Sequence, residues 1–247
     1  GIVAAGGTAV LGGVLPTPAV ALLAQDLGVV ISASHNPPEY NGVKLFDAEG
    51  HKLTDAAEEE IEALLDIPGP GGGSVEQAQS AVDGYVEHVV EHFGTDLKGL
   101  RIAVDCGSGI AGASAPAVLR ALGCRVEELY SEVDGDFPHH HPDPSQPENL
   151  ADLIAAVAAG DAELGLAFDG DGDRLGVVTK DGKIIYPDRQ LMLFAQDILQ
   201  RHRELGRPTG PAHSDRSPLV AQVATPVPAE VALAAEQRGI HRDRIAD

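Results

Sequence analysis

Apolar and polar positions along this chain follow two periods, and the points where one gives way to the other mark its elements. Residues 1–36 read as a strand-rich, glycine-punctuated stretch: Ala9, Val10 and Leu11 are apolar, Leu15-Pro16-Thr17-Pro18 turns into a short helix, and Gly28 to Ser32 is a strand. Val43-Lys44-Leu45-Phe46 followed by Asp47-Ala48-Glu49-Gly50 predicts a strand and a hairpin turn, and Thr54 with Glu58 opens an acidic helix expected to run to Asp66. Ile67 to Ser74 breaks both periods with Pro68, Pro70 and the glycines 69, 71, 72 and 73, which makes it the best linker candidate.

Beyond it the pattern becomes βαβ. A helix is predicted over Val82 to Phe93, a strand over Leu100 to Asp105, a turn at Gly107-Ser108-Gly109, and another helix through Leu122. Cys124 to Tyr130 is the next strand, Leu150 to Ala159 a helix, and Leu164 to Phe168 a short apolar strand that runs into an acidic loop. Leu175 to Val178 and Lys183 to Ile185 read as a hairpin around Lys180-Asp181-Gly182, and Tyr186-Pro187-Asp188 opens a helix ending near His202. Parallel α/β architecture is the expected result. From Gly206 the chain mixes Pro, Ala, Arg, Ser and His without strand periodicity, and only Glu230 to Gln237 looks helical.

With 247 residues, of which 43% are hydrophobic and 22% charged, the chain can bury a sizeable core. A formal charge of −21 argues against nucleic acid or an anionic membrane surface as partner, because the long-range field repels phosphate polymers. A small anionic ligand would therefore need local positive charge. The two cysteines, Cys106 and Cys124, sit in apolar segments without CxxC spacing and read as buried free thiols. With no signal leader and no membrane-length apolar run, the cytoplasm is the expected compartment. The sole methionine is Met192 and the chain opens inside an apolar pattern, so the natural N-terminus is expected upstream.

Two loops carry candidate chemistry. Ser34, in Ser32-Ala33-Ser34-His35-Asn36-Pro37, follows a strand end, and strand ends are where open α/β sheets gather ligands. Its hydroxyl could accept a phosphoryl group, with Lys44 supplying charge or a proton and His35 steadying oxygens. From these residues alone an ordinary Asn-Pro turn is the better reading, since Ser-His neighbours are common and adjacency in sequence does not make a catalytic pair. The second loop, Asp169-Gly170-Asp171-Gly172-Asp173-Arg174, places three carboxylates at alternate positions, with glycines that allow sharp bends around one divalent cation. An EF-hand would need an acid at its twelfth position, where Lys180 stands. His139, His140 and His141, flanked by prolines, read as a rigid surface loop rather than a metal site.

The serine loop, Asn41-Gly42-Val43-Lys44, Ile102-Ala103-Val104-Asp105-Cys106-Gly107-Ser108-Gly109 and Asp169-Gly170-Asp171-Gly172-Asp173-Arg174 occur in this order in the α-D-phosphohexomutases, and the chain resembles that family over residues 1–205. The resemblance implies mixed, mostly parallel sheets sandwiched by helices. It implies a first domain, incomplete, at 1–74, a second at 80–185, and the start of a third with an unrecognised tail at 186–247. It implies a phosphoserine at Ser34, Mg²⁺ held by Ser34, Asp169, Asp171 and Asp173, acid-base work by Lys44, and active-site positions for His35 and Arg174. The implied reaction moves phosphate between the 1 and 6 positions of a hexose through a bisphosphorylated intermediate.

Glu132 to Pro144 and Gly176 to Arg189 look like the bacterial phosphomannomutase/phosphoglucomutase branch, whereas Gly13 to Val20, Ile31 to Ser34 and Gly50 to Leu53 resemble phosphoglucosamine mutase, the second choice. No counterpart is found for the family's N-terminal Thr-Ser-Gly-Xaa-Arg loop, its Gly-Glu-Xaa-Ser-Gly-His sugar loop or its C-terminal Arg-Xaa-Ser-Gly-Thr phosphate loop. The chain is thus expected to have lost much of the substrate site, and residues 206–247 to be a frame-shifted reading. Two other classes compete: a Mg²⁺ or sugar-phosphate binding module without catalysis, and a phosphatase with an aspartyl nucleophile.

Overall fold

A computed structural model of the chain describes residues 1–94 and 96–204. Contacts divide the chain into two units, Gly1–Lys183 and Ile184–Asp247. In the second, the short strand β9 (Ile184–Ile185) leads into the helix α6 (Pro187–Glu204), tied together where Gln190 Nε2 donates to the Ile185 carbonyl at 2.7 Å. The expected helix at Glu230 to Gln237 and the tail from Gly206 lie outside the described residues.

The first unit begins with β1 (Thr8–Leu11), α1 (Thr17–Leu23), β2 (Gly28–Ser32), β3 (Gly42–Phe46), α2 (Asp55–Glu62) and β4 (Ser74–Gln77). β2 and β3 pair antiparallel, Gly28 opposite Phe46 and Ser32 opposite Gly42. That register matters for function, because residues 33–41 become the hairpin loop and Lys44 returns alongside it. Thr54 caps α2, its hydroxyl accepting from the Ala57 N–H. The helix ends at Glu62, sooner than the acidic run suggested, and Ala63 to Asp66 continue as turns.

The linker expectation is corrected here. Gly71 N donates to Ala4 O at 2.8 Å and Ser74 N to Gly7 O at 3.2 Å, so the glycine-rich stretch lies along residues 3–7 instead of hanging free. Ser74–Gln77 then pairs parallel with Thr8–Leu11. A Cβ on Gly73 would collide with the Gly7 carbonyl oxygen, which shows that glycine serves close backbone approach at this point and not flexibility.

The rest of the unit contains α3 (Ala81–Phe93), β5 (Arg101–Asp105), α4 (Ala115–Ala121), β6 (Arg125–Leu129), α5 (Ala151–Ala159), β7 (Leu164–Phe168) and β8 (Leu175–Thr179). Within this unit the strands run in the order β6-β5-β7-β8. β5 is parallel to β6 and β7, while β8 is antiparallel to β7, so the sheet is mixed and mostly parallel, as the family resemblance implied, where the βαβ pattern alone pointed to parallel strands. The turn at Lys180–Gly182 closes with Thr179 N donating to Lys183 O at 2.9 Å.

Strand alternation explains the layering. Ile102, Val104, Cys106 and Cys124 form a core cluster with Leu119, Val126, Leu166 and Phe168 packed against it. Gly165 lies under α5, where a Cβ would press on Leu153 and Val157, both fully buried. Burying such side chains contributes about 1.5–3 kcal/mol each. Both cysteines are buried and free, and burial above all pushes the Cys106 thiol to about 12.

Candidate active site and metal centre

Parallel strands β5 and β7 end on the same edge of the sheet, so the loops that follow them meet. Ile110 N donates to Gly170 O at 3.0 Å, fixing the acidic loop against the Gly107-Ser108-Gly109 turn. The acidic loop is itself tightly wound. Asp169 Oδ1 accepts from the N–H groups of Asp173 and Arg174, both at 3.0 Å, and Gly172 N donates to Asp169 O at 3.1 Å. Asp169 and Asp171 are buried, and Asp173 is exposed.

The serine hairpin reaches this loop directly. Ser34 takes a left-handed φ of 54°, held by its own N–H donating to Ser32 Oγ at 2.8 Å. Its hydroxyl donates to Asp169 Oδ2 at 3.0 Å and lies 3.4 Å from His35 Nδ1. A Cβ at Gly170 would strike the Ser34 carbonyl oxygen, so the glycine between the first two acids is what lets the two loops touch. Lys44 Nζ donates to Asp171 Oδ2 at 2.6 Å and Asp173 Oδ2 at 2.8 Å. The structure therefore gathers Ser34, His35, Lys44, Asp169, Asp171 and Asp173. Arg174 contributes its main-chain N–H to Asp169, and its side chain is exposed.

The charges respond to this crowding. Burial above all, and then the neighbouring Asp171 and Asp173 carboxylates, push the Asp169 carboxyl up to about 6 against the Arg174 N–H and Ser34 hydroxyl, which favour its charged form. For Asp171 burial works upward too, but the Lys44 ammonium and the Thr17 hydroxyl hold its carboxyl below the ordinary range. Burial works against the charge of Lys44, yet the hydrogen bonds and charges of Asp171 and Asp173 raise its pKa.

Whether the residues suit a cation can be read from their donors. Asp169, Asp171 and Asp173 each offer a carboxylate oxygen within 4.8 Å of the others, and Asp171 Oδ1 is buried without a hydrogen-bond partner. Buried polar atoms in native proteins are nearly always satisfied, so an orphaned anionic oxygen beside two more hard oxygens fits a divalent metal ion. Among the described residues this is the one such cluster.

Sequence reasoning missed three neighbours of the site. Thr17 was read only as part of a turn, yet its hydroxyl donates to Asp171 Oδ2 at 2.5 Å and its N–H to Asp171 O at 2.9 Å. His140 does not form a simple surface loop, since its Nε2 lies 3.0 Å from an oxygen of buried Asp105. Buried Asp143 is the third: burial works upward on its carboxyl, but Ser145 and the charges of His35 and Arg174 hold it low. No periodicity flags these, because the contacts that tie them to the site, Thr17 to Asp171, His140 to Asp105 and Asp143 to the charges of His35 and Arg174, join distant parts of the sequence.

In this α/β protein a strand-end serine meets a three-carboxylate loop, an arrangement that can hold a divalent cation beside a hydroxyl. Two family models match the chain, phosphoglucomutase/phosphomannomutase alpha/beta/alpha domain I over residues 1–67 and alpha/beta/alpha domain II over residues 83–182. The phosphomannomutase/phosphoglucomutase of Pseudomonas aeruginosa PAO1 is 50% identical over 199 residues, covering 77% of this chain and 42% of that protein. The probable phosphoglucosamine mutase of Methanopyrus kandleri is 40% identical over 228 residues, 89% of this chain and 50% of that protein. A crystal structure of a phosphoglucomutase/phosphomannomutase family protein from Burkholderia thailandensis matches with a TM-score of 0.74 at 46% identity, covering 81% of this chain and 46% of that one. The chain thus belongs to the α-D-phosphohexomutase family and spans half or less of the length of these relatives. The Methanopyrus match takes in 89% of the chain and so extends past residue 205, where the sequence alone offered no recognisable family pattern. Among the described residues no helix is long and apolar enough to cross a membrane.

Proposed function

We propose that this chain carries the phosphoserine and metal-binding part of a cytoplasmic mutase that interconverts the 1- and 6-phosphates of mannose or glucose. The observation that carries the reading is the Ser34 hydroxyl, 3.0 Å from Asp169, in the loop whose three carboxylates converge. Residues 1–74 and 80–185 are the two family domains in this reading, and 186–247 the start of a third with its tail.

Asp169, Asp171 and Asp173, with Ser34 once phosphorylated, would hold Mg²⁺, which would offset negative charge on the phosphoryl group in transit. In the first half-reaction the bond from phosphorus to Ser34 Oγ breaks as one to a sugar hydroxyl oxygen forms, with net movement of one proton from that hydroxyl to Ser34 Oγ. The second half runs in reverse at the other phosphorylated position. The left-handed backbone at Ser34 accompanies a hydroxyl aimed at Asp169 Oδ2, on the side of the acidic loop. Lys44, kept charged by its two carboxylate partners, takes part in proton transfer and offsets charge, while His35 steadies the serine side and Arg174 the incoming phosphate. The 40% identity to the Methanopyrus protein across most of the chain favours glucosamine phosphate as second substrate choice.

A coupled assay with Mg²⁺ and a trace of hexose 1,6-bisphosphate tests this. Interconversion of glucose or mannose phosphates that disappears in Ser34→Ala supports the mutase. Turnover surviving in Ser34→Ala refutes it, and a wild-type chain that takes up magnesium but neither turns over nor accepts a phosphoryl group on Ser34 is a binding module.

A further inference from the structure

The segment before α1 is docked onto the acidic loop by contacts that no part of the proposed reaction uses. A Cβ on Gly172 would lie 3.1 Å from Pro16 Cβ, so Pro16 sits flush on the backbone between the second and third acids. Next to it Thr17, 5% exposed, makes two hydrogen bonds to one residue: its N–H to the Asp171 carbonyl and its hydroxyl to Asp171 Oδ2. Pro18 follows with no N–H of its own. Thr17 thereby fixes both the main chain and the side chain of Asp171 across 154 residues of sequence.

The two oxygens of Asp171 are consequently unequal. Oδ2 accepts from Thr17 and from Lys44, whereas Oδ1, equally buried, has no partner. Were the carboxylate free to turn about its last bond, the oxygens would exchange and the loop would present no defined donor. With Oδ2 tied to a hydroxyl whose own backbone is anchored to the same residue, Oδ1 is the oxygen left for a cation. We infer that Thr17 is a positioning residue that orients Asp171 so that Oδ1 faces the metal ion. The inference rests on the metal-binding reading above, and it assigns Thr17 no contact with metal or substrate. Groups that hold a ligand through a hydrogen bond of this kind typically change metal affinity by about 10–100-fold when removed.

Calorimetric titration of the full chain with Mg²⁺ tests it, with Thr17→Val, which keeps the shape and loses the hydroxyl, beside Thr17→Ser, which keeps the hydroxyl. The expected result is a dissociation constant raised about tenfold or more in Thr17→Val and near wild type in Thr17→Ser, at unchanged circular dichroism. Equal affinity in wild type and Thr17→Val overturns the inference, as does equal weakening in Thr17→Ser, which would mean that any change of packing at this position, and not loss of the hydroxyl, weakens the site. If Thr17→Val does not fold, Thr17→Cys, with a weaker donor in the same space, is expected to bind several-fold more weakly than Thr17→Ser, and equality between them overturns the inference. Wild-type protein that takes up no Mg²⁺ defeats the metal reading itself, a separate outcome.

Discussion

Replacing Lys44 by methionine removes one charge from the site and keeps most of the stem. The ammonium lies 2.6 Å from an oxygen of Asp171, which is 1% exposed, and 2.8 Å from one of Asp173, which is 31% exposed, while the lysine itself is 26% exposed. Breaking a fully buried ion pair costs about 3–5 kcal/mol and an exposed one about 0.2–1 kcal/mol. One half-buried and one largely solvated pair put the loss between those limits, at about 2 kcal/mol. For a chain of this size that lowers the melting midpoint by roughly 4–8 °C. The deficit should shrink on adding Mg²⁺, because the carboxylates left uncompensated by the substitution are those the cation meets, so magnesium raises the variant's midpoint more than the wild type's. Calorimetric melting of both proteins, with chelator and at increasing Mg²⁺, reads both effects. An unchanged midpoint in chelator would mean that the ion pairs contribute nothing, and equal magnesium-induced gains would mean that lysine and cation do not share the same carboxylates.

A proton on Asp169 competes with the cation, so Mg²⁺ affinity should fall by about tenfold per pH unit below the Asp169 pKa of about 6, measured by calorimetry between pH 5 and 7.5, and a flat profile refutes it. In the metal-free protein the sign for folding follows from the raised carboxyl. Its contribution to stability is fully present below the ordinary value of 3.8 and lost as pH rises through about 6, so Asp169→Asn should flatten the fall in urea midpoint across that window. Gly170→Ala should abolish magnesium heats while leaving far-ultraviolet circular dichroism intact, since its methyl collides with the Ser34 carbonyl oxygen in a loop rather than in the core. Leu153→Ala, at a fully buried position over Gly165, should cost about 2–5 kcal/mol in urea unfolding without touching the acidic loop.

Elements whose period is strong were legible in the chain itself. Gly28–Ser32 and Leu164–Phe168 form the strands the apolar runs predicted, and both end at functional loops. The serine and acidic loops were legible because glycine and acid alternate at residue spacing that only a few chemistries require, and because four motifs follow a family's order. Other features depend on contacts that local pattern does not encode. The stretch from Ile67 looked like a linker because glycine and proline signal flexibility and close packing alike, and only Val3, Ala4 and Gly7 opposite it decide which. β8 is antiparallel to β7 because a short acidic loop joins them with no crossover helix, something the βαβ rhythm upstream obscured. Thr17 and the Asp105–His140 pair are ordinary polar residues until the sheet edge brings their partners to them.

The account stands most directly on where a transferable phosphoryl group comes to rest. Incubating the chain with isotopically labelled hexose 1,6-bisphosphate and Mg²⁺, then mapping the label by mass spectrometry, should place it on Ser34, with none on Ser32. Label on an aspartate of the acidic loop, or a fully folded, magnesium-loaded chain that takes up none, would contradict the reading of Ser34 as the phosphoryl carrier.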